Sequence, residues 1–133
     1  MKAIPASHAD LLADDRRAFA ILATVMSNGT PQATPIWFNT DGDLILINSA
    51  QGRLKDRNMR ARPAVALCIQ DMANPYRYLQ ILGKVVEITT QGAEEHINTL
   101  NFKYHGNRNY QKRNPQEVRV TYKIQPEKVD AHG

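Results

Sequence analysis

The sequence predicts a mainly β protein with two or three short helices, its strands wrapped into a closed or nearly closed antiparallel barrel. Three observations lead there. Short apolar or alternating segments recur along the chain and are divided by turn signals, among them Ser27-Asn28-Gly29 and Asp41-Gly42. Helical spacing is confined to short stretches. No repeat, linker or compositional break divides the 133 residues, so one domain is expected over 1–133.

The elements follow in order. Ser7 is placed to cap a short helix, with Asp10 three residues on and Leu11 and Leu12 turned inward. Ala18–Met26 is an apolar strand ending at the Ser27-Asn28-Gly29 turn, and Pro31–Phe38 returns from it. After Asp41-Gly42 comes Leu44–Asn48, so these strands read as an antiparallel meander. Arg53–Ala61 is helical and is stopped by Pro63, because proline disfavours helical backbone in the residue before it. Ala64–Gln70 is a short buried strand, Asp71–Pro75 a loop, and Tyr76–Thr90 a long strand with Gly83 at a bulge. Glu94–Tyr104 is a helix presenting Ile97, Leu100 and Tyr104 at spacings of three and four. A polar, basic loop, 105–116, leads to the last strand, Glu117–Ile124, with Val118, Val120, Tyr122 and Ile124 on one face.

Composition excludes several classes. Hydrophobic residues at 42% and charged residues at 23% argue against wholesale disorder. A single cysteine, Cys68, excludes an internal disulfide and a multi-cysteine zinc site, and its apolar strand suggests a core position. The four histidines show no metal-ligand spacing and read as surface residues, so no metal is expected. No apolar run approaches the roughly 20 residues that span a bilayer, and the opening MKAIPASHADLLADDRR is too acidic for a secretory signal. A cytoplasmic protein with no membrane partner is expected.

The net charge is +4, and its distribution is informative. Arg53, Lys55, Arg57, Arg60 and Arg62 face Asp56 alone within 53–62, and Lys103, Arg108, Lys112 and Arg113 follow without an acid in 101–114. An anionic partner is implied, either a phosphate-bearing small molecule or a nucleic acid. The exposed aromatic-plus-basic strand of single-strand binders is missing, so no nucleic acid is expected.

Three constellations can carry chemistry. Asn48-Ser49-Ala50-Gln51-Gly52-Arg53-Leu54-Lys55-Asp56-Arg57-Asn58 runs from a strand end through a small polar loop into a helix start. Cations in a first helical turn oppose the helix dipole unless an anion joins them. Arg53 grips phosphate with two parallel donors, Lys55 adds a compact charge, and Ser49 and Gln51 supply further hydrogen bonds. The competing reading is a solvated basic face. Second, Thr34-Pro35-Ile36-Trp37 puts proline in a strand, which removes a ladder donor and marks an edge. Such an edge receives a flat heterocycle or simply buries Trp37. Third, Tyr76 and Tyr78 share a face, walling a ring site or packing in a dimer interface.

The order of these motifs resembles the pyridoxamine-phosphate-oxidase-like split-barrel flavoproteins, and among them the deazaflavin-dependent branch that uses coenzyme F-420. The resemblance runs from Asp14 to Val129 and rests on LATVMSNGTPQATPIWF, LILINSAQGRLKDRNMRARPAVAL, NPYRYLQILGKVVEI and IQPEKV. It implies a six-stranded antiparallel split β-barrel, homodimeric, with two sites for coenzyme F-420 or FMN at the subunit interface. It places the cofactor phosphate on Arg53 and Lys55 with Asn58 assisting, the ring along Thr34, Pro35, Ile36 and Trp37, and the ribityl chain by Asn48 and Ser49. Tyr76 and Tyr78 would come from the other subunit. The segment that binds vitamin substrate in true pyridoxamine phosphate oxidases has no counterpart here, which points away from vitamin B6 oxidation. The implied activity is hydride transfer to a small acceptor such as an enone or quinone; the alternative is a non-catalytic carrier of the same cofactor.

Overall fold

A computed structural model describes residues 4–133. Strand β1 (Ala20–Val25) turns at Gly29 into β2 (Pro31–Ile36); β3 (Asn39–Asp41) turns at Gly42 into β4 (Leu44–Ala50). Helix α1 (Leu54–Ala61), β5 (Ala64–Gln70), β6 (Tyr78–Thr89), helix α2 (Ala93–His105) and β7 (Arg119–His132) complete the chain. All strand pairs are antiparallel, in one seven-stranded sheet ordered β2-β1-β5-β6-β7-β4-β3. The ladder does not close, and short β3 adds a strand to the six expected.

The expected meander is not formed. β1 and β2 make the hairpin, but β2 and β3 occupy opposite edges of the sheet. The connection between them is diverted by Phe38, which is fully buried in the core. Its backbone bonds α2 instead of a strand: its N–H donates to the Tyr104 hydroxyl at 3.3 Å and its carbonyl accepts from Lys103 Nζ at 2.6 Å.

One apolar cluster contains residues of both halves of the sheet, including Leu22, Ile36, Ile45, Ile47, Leu67, Ile81 and Tyr122. Contact between distant strands requires the sheet to curl, and bulges between β6 and β7 supply bending points. At one of them a Cβ on Gly83 would lie 2.8 Å from the Gln125 carbonyl, so only glycine admits that close approach. β7 runs past Ile124 to His132, carrying Pro126 opposite Gly83 where β4 no longer pairs with it. A missing N–H is harmless at that unpaired edge. Val118 precedes the strand and is exposed, unlike Val120, Tyr122 and Ile124.

Three local expectations are corrected. Ser7 caps no helix: Ala6–Leu12 is a 3-10 segment without a side-chain cap, and the Ser7 hydroxyl lies 2.8 Å from His8 Nδ1. His8 is buried rather than superficial, with Nε2 2.8 Å from the His132 carbonyl, so it ties the amino-terminal segment to the end of β7. Cys68 faces outward from β5, because the alternation buries Val65, Leu67 and Ile69 on the other face. No helix among the described residues is long and apolar enough to cross a membrane.

Candidate functional site

The site begins where β4 gives way to α1. Gly52 takes a left-handed φ of 90°, which favours glycine, and Arg53 occupies the helix N-cap without a side-chain cap. Asp56 organises the turn from inside. Its Oδ2 accepts the Gly52 N–H at 2.9 Å, while its Oδ1 accepts from Arg60 Nε at 3.0 Å and from the Tyr122 hydroxyl. Burial, reinforced by the Asp56 carboxylate, holds the Tyr122 phenol well above its usual pKa, so it remains a donor.

This turn delivers Arg53 and Lys55 to a cavity of about 440 Å³, a volume suited to a cofactor-sized ligand. Pro35, Ile36 and Trp37 line it from the end of β2, Asn48 and Ser49 from β4, and Ile97 and Leu100 from α2. Phe19, Tyr110, Gln111, Arg113 and Arg119 complete the lining.

One end is cationic. Arg119 is 4% exposed, and its Nε donates to Asn48 Oδ1 at 2.8 Å. Glu117 is the shared counter-charge, accepting from Arg119 Nη1 at 3.0 Å and Arg53 Nη2 at 3.1 Å. Lys55 has no ion pair among the described residues, and its pKa is lowered first by burial and then by Arg53 and Arg119. Arg53 and Arg119 thus share one carboxylate, with Lys55 unpaired beside them among the described residues. Ser49 also lines the cavity, but alternation along β4 turns its buried hydroxyl, unpartnered among the described residues, to the core face shared with Ile45 and Ile47.

The other end is aromatic. The Trp37 ring stacks on Tyr104 at 5.1 Å and 16°, and Tyr104 stacks on Phe19 at 5.1 Å and 22°. The Tyr104 hydroxyl donates to the Ala18 carbonyl at 2.6 Å, and burial pushes its pKa up to about 12. Tyr110 meets Trp37 edge-on at 6.4 Å and lies 5.0 Å from the Arg119 guanidinium, joining the two ends. Such a cavity fits an elongated molecule with a flat ring and an anionic group, as the flavin and deazaflavin cofactors have.

Seven of the expected site residues line this cavity: Pro35, Ile36, Trp37, Asn48, Ser49, Arg53 and Lys55. The others lie elsewhere. Thr34 is on β2 with a buried, unpartnered hydroxyl, and Gln51 and Gly52 are in the exposed turn before α1. Asn58 is buried and committed to the fold: its Nδ2 donates to Thr24 Oγ1 at 3.1 Å and its Oδ1 accepts from Arg62 at 3.3 Å. Tyr76 and Tyr78 lie outside this cavity. Tyr76 sits in the turn before β6 and is 84% exposed, and Tyr78 stacks on His132 at 4.8 Å. Sequence reasoning missed Phe19, Tyr110, Gln111 and Arg119, which come to the site through the fold; the basic stretch containing Arg113 was the one legible signal. Among the described residues no group of His, Cys, Asp or Glu is arranged to hold a metal ion.

A model of the pyridoxamine 5'-phosphate oxidase family matches residues 4–133. Among solved structures, the chain is similar to an F-420 reductase, with 32% identity, a TM-score of 0.83, and coverage of 96% of this chain and 98% of that one. It shares its fold with a conserved hypothetical protein of Mycobacterium tuberculosis, at 18% identity and TM-score 0.75, covering 97% of this chain and 84% of that one. The same holds for HupZ of Group A Streptococcus, at 20% identity and TM-score 0.68, covering 96% and 93%. A search of curated proteins finds no match. With nearly its whole length matched, the chain belongs to the pyridoxamine 5'-phosphate oxidase family.

Proposed function

We propose that this protein is a flavin-type oxidoreductase that holds coenzyme F-420, with FMN as the other candidate, and moves a hydride to a small organic acceptor such as an enone or quinone. One observation carries the reading: Arg53, Lys55 and Arg119 line the same cavity as Trp37, whose ring stacks on Tyr104. The similarity to an F-420 reductase over nearly the full length favours the deazaflavin.

When bound, the cofactor supplies hydride chemistry at its ring. The protein binds, orients and excludes water. Arg53, Lys55 and Arg119 hold the anionic end by charge-assisted hydrogen bonds. Trp37 supplies a flat wall, and Ile36, Ile97 and Leu100, all buried, keep the inner end dry. Tyr110 is the tyrosine among the lining residues and the side chain available to deliver a proton.

The reading includes a homodimer. The register aligns Pro35, Ile21 and Cys68 in one row across β2, β1 and β5, and Ala33, Ala23, Ala66 and Leu82 in the next. This outer face is apolar, with Ile21 41% and Leu82 42% exposed, and it borders the cavity through Pro35. A second copy seated there would wall the site. Leu82→Glu tests it: the expected result is a monomer by light scattering, and an unchanged mass removes this face.

Separate titrations with FMN and the deazaflavin, followed by fluorescence, test the function. Micromolar binding of one of them, with turnover of an enone or quinone, is expected. Tight binding without turnover of any acceptor would make the protein a carrier, and no binding of either would end the reading.

A further inference from the structure

His96 lies outside the cavity lining, on the first turns of α2, yet it is joined to the cationic wall by an unbroken chain of hydrogen bonds. Its Nε2 is 2.8 Å from Asn39 Oδ1, which makes Nε2 the protonated nitrogen and leaves Nδ1 an acceptor, with the Thr121 hydroxyl 3.0 Å away. Asn48 Nδ2 lies 3.1 Å from that Nδ1 and donates to the Ala93 carbonyl at 3.0 Å. Both amide protons of Asn48 are therefore spoken for on the α2 side. Its Oδ1 is turned the other way, onto Arg119 Nε at 2.8 Å.

We propose that His96 is a positioning residue for Arg119, acting through the side-chain amide of Asn48. An asparagine amide has a donor end and an acceptor end, and a half-turn about its last bond exchanges them. Exchanged, it would set an NH₂ against the Arg119 N–H and an oxygen against the Ala93 carbonyl, two repulsive contacts within a buried site. The Ala93 carbonyl and the Arg119 N–H select the other orientation, and His96 Nδ1, taking the second amide proton, keeps the amide from swinging off Arg119. With Nε fixed by Asn48 and Nη1 fixed by Glu117, the guanidinium plane is clamped on two sides, and neither bond uses Nη2. A clamped arginine loses less entropy when it grips an anion. The imidazole stays neutral because burial, with Arg119 and Lys123 nearby, lowers its pKa to about 4.

This inference rests on the reading of the cavity as an anion site, so the test has an arm that needs no ligand. In the free protein, the Arg119 Nε–H resonance should be shifted and protected from exchange with solvent. His96→Leu should shift it and speed its exchange with solvent, and His96→Gln, which restores an acceptor, should recover much of the protection. In the second arm, inorganic pyrophosphate is titrated calorimetrically. His96→Leu is expected to weaken binding about tenfold, the effect of one hydrogen bond. In an Asn48→Ala background the same change should alter affinity less than about twofold, because the connection is already cut. Additive losses, or a folded His96→Leu protein with the wild-type resonance, would overturn the proposal. Should that variant fail to fold, His96→Phe keeps a ring of similar size while removing the acceptor and the bond to Asn39, with the same outcomes. Failure of FMN and deazaflavin to bind the wild type would end the functional reading alone, since the resonance decides the positioning role by itself.

Discussion

Arg53 at the start of α1 and Arg119 at the start of β7 hold opposite oxygens of one carboxylate, that of Glu117, at 3.1 Å and 3.0 Å. The two halves of this bridge are unequal. The Arg53 side chain is 42% exposed, so its pairing is screened and worth little. Arg119 and Glu117 are 3% and 7% exposed, so theirs matters. Glu117→Gln should therefore lower stability by about 2 kcal/mol, read from urea unfolding. It also removes the counter-charge of Arg53 and Arg119, beside the already unpaired Lys55. Added phosphate should then raise the melting temperature of the variant by more than it raises that of the wild type; an equal rise would mean that the three cations do not act on one anion.

Arg53→Ala and Lys55→Ala should each weaken FMN or deazaflavin binding about tenfold or more, the loss of one charge-assisted contact. Arg57→Ala is the control. It belongs to the same basic run but is exposed and outside the cavity lining, so its affinity should stay at the wild-type value. Equal losses at all three positions would indicate attraction by net charge alone.

The contrast among these arginines shows what was legible in the chain. A cation-rich helix start after a strand could be read from Ser49 to Lys55 because dipole, spacing and residue type are all local. Pro35 announced an edge strand for the same reason, and β2 is one. What the run could not reveal is the use of each charge. Arg60 pairs with Asp56, and Arg62 donates to the Val25 carbonyl and to Asn58, so two cations of the run, and Asn58 with them, serve the fold. Arg119 carried no local signal, since the sheet order alone sets β7 beside β4, and Tyr110 lies in a loop that was legible only as polar and basic. The meander failed for a related reason: the turn at Asp41-Gly42 was correct, but the buried Phe38 sends the chain across to the far edge before it.

Asp56 should be the most sensitive position outside the cavity lining. Its buried carboxylate accepts from a backbone N–H, an arginine and a phenol, joining α1 to β7. Asp56→Ala strands the Tyr122 hydroxyl and the Gly52 N–H and should cost about 3–5 kcal/mol. Tyr122→Phe removes one donor and leaves the carboxylate bonded to two others, so about 1–2 kcal/mol is expected. Chemical denaturation of both variants checks the ranking; a larger loss for Tyr122→Phe would show that ring packing, and not the carboxylate, governs this junction.

Acid should loosen the fold through His96. Burial first, then the charges of Arg119 and Lys123, lower its pKa from 6.5 in the unfolded chain to about 4. Between those values the unfolded state binds more protons than the folded state, so stability rises with pH across this window and falls as pH drops through it. Above about pH 6.5 the imidazole is neutral in both states and contributes no slope. Below about pH 4 it is charged in both, and the full difference, about 3 kcal/mol, has been lost. Asp10 and Asp71 also destabilise in acid, but their pKa values are lowered from 3.8, the first chiefly by Arg77 and the second chiefly by the Ala73 N–H, so their losses fall mainly below the His96 window. Urea unfolding between pH 4 and pH 6.5 should therefore slope upward in the wild type and flatten in His96→Gln. A slope that survives the substitution would assign the acid sensitivity to a group other than this imidazole.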